Sequence, residues 1–134
     1  MATTSTKETV VELQWLSDRI SSQVRAIALG VLAVAWAVLL SPPKDLSISS
    51  AAMLWVALIA LLTLVADLLQ YVLGYINTRR HHQHLLRENI EEGYDASVPL
   101  YRARIGCFWG KQLLAAGAFV GLVYALLPAL LLRI

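Results

Sequence analysis

The sequence predicts an all-α integral membrane protein with three transmembrane helices, an N-terminal amphipathic helix, and a helical hairpin between the second and third spans. Two observations predict it. Of 134 residues, 58% are hydrophobic and only 15% charged, against roughly 25% charged in an ordinary globular domain. The apolar residues also fall into three blocks, each close to the roughly 17–25 residues a helix needs to cross a bilayer.

Residues 1–23 form a polar lead in which Val10, Leu13, Leu16 or Ser17, and Ile20 recur at near-helical spacing, continued by Val24 and Ile27, with Glu8, Glu12, Asp18 and Arg19 at the other positions. This pattern suits an amphipathic helix in the membrane interface or an extension of the first span packed against the middle loop. A cleaved leader fits poorly, because the polar lead is long and the apolar run before Ala33-Val34-Ala35 is short.

The first span is expected over 24–40. Pro42 and Pro43 lack N–H donors and clash with a preceding turn, so they end it. Residues 41–50 then make a short loop, with Ser49 or Ser50 as a cap for the next helix. The second span covers 51–76, and its only early breaker is Gly74. Without proline, the helix is free to run on to Glu92 before Gly93, roughly 60 Å at 1.5 Å per residue. That is about twice the hydrocarbon thickness, so its lower half must stand outside the bilayer. Residues 77–107 are read as the hairpin, turned by YDASVP with Pro99 suited to a first helical turn. The third span covers 108–132 and contains Pro128, where a kink is expected.

Orientation follows from the basic residues. Lys7, Arg19 and Arg25 precede the first span, and Arg79, Arg80, Arg87, Arg102 and Arg104 lie between the second and third; Lys44 and Arg133 oppose them. Cationic flanks are retained on the cytoplasmic side, so the N-terminus and hairpin are expected inside and the C-terminus outside, as in a bacterial inner membrane. The single cysteine, Cys107, excludes an internal disulfide.

Asp67 carries the sharpest expectation. A carboxylate at mid-span costs about 2.5–3.5 kcal/mol on insertion scales and generally faces a bundle interior or water. Thr63, Asp67, Gln70 or Tyr71, and Gly74 share one helical face. That stripe either lines a water-filled path, with Asp67 forming an acidic ring in a homo-oligomer, or locks helices through Lys111, Arg25 or a hydroxyl. Lys111 and Gln112 open the third span, where a lysine commonly extends to the interface. Gly106 with Gly110, and Gly117 with Gly121, form two small-xxx-small pairs that favour close helix packing within one chain or between chains.

Arg79, Arg80, His81, His84 and Arg87 make a basic cluster. It suits anionic membrane lipid, or a cytoplasmic anionic ligand such as a nucleotide or oligonucleotide, since arginine forks match phosphate. His81, His84 and Glu88 share a helical face but make a weak metal set, and no metal or cofactor is expected. No phosphate-cradling glycine loop, nucleophile elbow or metalloprotease helix is present, so catalysis is not expected.

In outline alone, with no shared motif, the layout is similar to small multi-span channel effectors of bacterial defence systems. The leading expectation is an oligomeric ion channel or pore with its gate at the cytoplasmic hairpin. The alternatives are a non-conducting scaffold that docks a soluble partner or anionic lipid through that hairpin, and a small proton-coupled transporter subunit.

Overall fold

The computed structural model describes residues 6–42, 48–88 and 99–131, with side chains over 11–42, 48–80, 99–128 and 131. Helix α1 is Thr6–Leu40, α2 is Ser50–Glu88 and α3 is Pro99–Leu131. All described secondary structure is helical, and all three helices are long and apolar enough to cross a membrane.

The polar lead is not a separate element. α1 runs unbroken through positions 23 and 24, because nothing between Thr6 and Leu40 but Gly30 opposes a helix and one glycine costs only about 1 kcal/mol. Its last turn closes with the Ser41 amide donating to the Ala37 carbonyl at 3.0 Å, immediately before the two prolines. Of the two serines expected as caps, Ser49 performs the task. Its Oγ accepts from the Ala52 amide at 3.3 Å and its carbonyl from the Met53 amide at 3.1 Å, which satisfies donors that a helix start leaves open.

α2 continues past the apolar block as far as Glu88; the expected extension to Glu92 and the turn at Gly93 lie outside the described residues. α3 begins at Pro99, where the missing N–H has no intrahelical partner to lose, and stays helical through Pro128. The stretch 99–107, expected as part of the hairpin, is therefore the first turns of α3.

The three helices pack around one seam, with α2 touching both neighbours and α3 most extensively. Apart from Ala57, the buried positions step by three, four or seven: Ser21, Val24, Ala28, Val31 and Ala35 on α1; Met53, Val56, Ala60, Thr63, Asp67, Gln70 and Asn77 on α2; Lys111, Ala115, Ala118 and Leu122 on α3. This is close to the 3.5-residue repeat of helices packed along a continuous seam. The half nearer Leu40 and Ser50 is apolar, formed by Val31, Ala35, Met53, Val56, Ala57, Ala60, Ala118 and Leu122. Its alanines admit the close backbone approach that supplies most helix attraction in lipid. Large side chains such as Leu113, Val120 and Tyr124 point outward and are exposed.

Candidate functional site

Toward the other half the same seam turns polar. Ser21, Thr63, Asp67, Gln70, Asn77 and Lys111 are all buried. Lys111 Nζ donates to Asp67 Oδ1 at 2.5 Å and to Ser21 Oγ at 2.7 Å. Arg25 reaches the other carboxylate oxygen, with Nη2 at 2.8 Å and Nε at 3.0 Å from Oδ2. One residue from α2 is thus gripped by one cation from α1 and one from α3, and the α1 serine completes the lysine.

Exposure differs sharply within this triad. The Lys111 side chain is 0% exposed and Asp67 6%, whereas Arg25 is 46% exposed. The Tyr71 ring sits beside both cations, its centroid 5.7 Å from the Arg25 guanidinium carbon and 5.9 Å from Lys111 Nζ, and the Phe108 centroid lies 5.6 Å from the same ammonium. Ring faces stabilise a cation that has lost its water. Two cations against one carboxylate leave the group one positive charge in excess, carried at its exposed end by Arg25.

Lys111 corrects the expectation of an interfacial lysine. Its position on the seam, four residues before Ala115 and seven before Ala118, points the stem inward, where Asp67 and Ser21 replace the water that the ammonium loses. The alternative in which Lys111 and Arg25 lock Asp67 describes the contacts observed. Thr63 is satisfied locally, donating to the Ile59 carbonyl at 3.0 Å. Gln70 is 6% exposed and its Oε1 has no partner among the described residues. Tyr71 lies off the seam, about half exposed; the rest of the expected stripe turns into the bundle, Thr63, Asp67 and Gln70 as buried side chains and Gly74 against the Arg104 side chain.

Two clefts open between α1 and Arg104 of α3, with volumes near 420 Å³ and 290 Å³, and the smaller reaches Gln70 and Tyr71 beside the triad. Ser17, Asp18 and Arg104 line both, and Gln70 lines the smaller.

Within the chain, the glycine pairs are mostly unused. A Cβ on Gly121 would meet Val56 Cγ2 at 3.3 Å, but Gly106, Gly110 and Gly117 have nothing within 4 Å of that position. The α3 face that packs inward is instead Lys111, Ala115, Ala118 and Leu122. Of the basic cluster, Arg79 and Arg80 are exposed on α2. The helix passes through His81, His84 and Arg87, whose side chains lie outside the described residues. No family model matches this chain, and no curated protein or solved structure shows significant similarity to it.

Sequence reading identified Asp67 and both cations, but it missed Ser21 and the full burial of Lys111. The signal was present: extending the three-and-four pattern of small residues on α1 and α3 toward the polar half lands on Ser21 and Lys111.

Proposed function

We propose that this chain is a multi-pass membrane protein serving as a non-conducting scaffold, with its N-terminus and basic helix ends on the cytoplasmic side, where they dock an anionic partner. One observation carries the reading. Asp67 is enclosed within a single chain and shared between Lys111 and Arg25, so its charge is committed to joining three helices. An acidic pore ring needs that carboxylate facing an axis shared by several copies. A proton carrier needs it free to change partners. The docking end is supported by Arg79, Arg80 and Arg102, all exposed, since such cations attract anionic lipid at about 1 kcal/mol each near a charged surface.

The test uses the purified chain in liposomes. Ion leakage equal to that of empty vesicles, with binding to phosphatidylglycerol vesicles reduced by Arg79→Gln and Arg80→Gln, is the expected result. Ion flux above that of empty vesicles would overturn the scaffold reading.

A second reading, the oligomeric ion channel, is favoured by Gly106, Gly110 and Gly117. They offer an uncovered small-residue face on α3 where another copy could approach closely. In that case the conducting path lies between chains and is lined by residues other than Asp67. Subunit counting in the membrane, combined with the same flux assay, separates the two.

A further inference from the structure

The smaller cleft beside the triad has the makings of a ligand site, contributed by all three helices. Asp18 comes from α1, Gln70 and Thr78 from α2, and Arg104 from α3. Asp18 and Arg104 share the space, yet neither forms an ion pair among the described residues. Gly74 lets the arginine lie flat against α2; an ideal Cβ there would stand 3.4 Å from Arg104 Nε. At the buried end is Gln70, whose Oε1 lacks a donor among the described residues. A buried acceptor left unmet forfeits the hydration it had in the unfolded chain and gains nothing in return. A volume near 290 Å³ is room for far more than a single water.

The unmet groups specify their complement. Arg104 calls for an anionic oxygen, which its fork holds best as phosphate or carboxylate. Asp18 and Gln70 Oε1 both call for N–H or O–H donors. The cleft opens just beyond the triad, since Gln70 lies about one helical turn from Asp67 and Thr78 about two turns further along α2.

We propose that this cleft binds a phosphoethanolamine group, with its phosphate on Arg104 and its ammonium donating to Asp18 and Gln70. The group is either the headgroup of a membrane phospholipid or a free phosphoethanolamine. The proposal rests on the membrane reading above, but not on whether the chain conducts ions. A choline headgroup carries the same charges without an N–H, so it meets Arg104 and leaves Gln70 unsatisfied. A phosphatidylglycerol headgroup supplies the anion and hydroxyl donors but no cation for Asp18.

The full chain in detergent is challenged with phosphatidylethanolamine, phosphatidylcholine and phosphatidylglycerol at equal concentrations, and retained lipid is read by native mass spectrometry. Phosphatidylethanolamine is expected to bind at least about tenfold more tightly than phosphatidylcholine, the scale of one hydrogen bond to a charged group. Arg104→Gln weakens binding of all three lipids. Asp18→Asn, an exposed change that leaves the seam intact, shrinks the preference for ethanolamine. Displacement by free phosphoethanolamine at comparable concentration assigns the soluble source, and its failure to displace assigns the lipid. Equal retention of ethanolamine and choline lipids, or a preference that survives both Arg104→Gln and Asp18→Asn, would overturn the proposal. Lipid selectivity and ion flux are read separately, so failure here leaves the scaffold reading standing.

Discussion

Lys111 on α3 donates to Asp67 on α2 at 2.5 Å, with neither side chain more than 6% exposed. Breaking a buried pair from one side strands the other charge, at a cost of about 3–5 kcal/mol. Asp67→Asn, which leaves the buried Lys111 ammonium with Ser21 but no counter-charge, is expected to destabilise the bundle by about that much. Lys111→Met is expected to cost less, because Arg25 still pairs Asp67. Both are measured by denaturant unfolding in detergent followed through tryptophan fluorescence. Unfolding midpoints that match the parent would show that the pair does not hold the helices.

Replacing both partners is expected to be milder than Asp67→Asn alone. Asp67→Leu with Lys111→Met removes the two most buried charges together, and apolar replacement of a buried pair is often neutral or stabilising. Arg25 is 46% exposed and is left to turn its guanidinium outward. A double variant no more stable than the worse single variant would contradict this coupling.

Ser49 is expected to contribute through its cap alone. Ser49→Ala removes the acceptor for the Ala52 amide and should cost about 0.5–2 kcal/mol, whereas Ser50→Ala should cost little. Equal effects of the two changes in the same unfolding assay would show that the cap is not what fixes the start of α2.

Much of the bundle was legible in the sequence because apolar run length and paired prolines act locally. The Asp67 stripe was legible too, since an intramembrane carboxylate stands out from its neighbours. What Asp67 faces was not legible. Its partners lie 42 and 44 residues away, and only the relative rotation of three helices decides whether their faces meet. Lys111 shows the difficulty: a lysine in the first turns of a span has the same local sequence whether it extends to the interface or turns onto a seam. The glycine pairs misled for the related reason that small residues mark close approach without naming the approaching helix.

Gly117 and Gly121 make the last contrast, four residues apart on α3. At Gly121 an added Cβ would stand 3.3 Å from Val56 Cγ2, while at Gly117 nothing lies within 4 Å. Gly121→Leu is therefore expected to overpack the α2–α3 contact, at about 1–3 kcal/mol. Gly117→Ala should be neutral or stabilise by up to about 1 kcal/mol through helix propensity. If α3 also packs against a second copy, Gly117→Leu leaves unfolding of the single chain unchanged and lowers the subunit count in the membrane. A Gly117→Leu variant that loses single-chain stability as Gly121→Leu does would place Gly117 on an intrachain contact and remove the uncovered face that favours the channel reading.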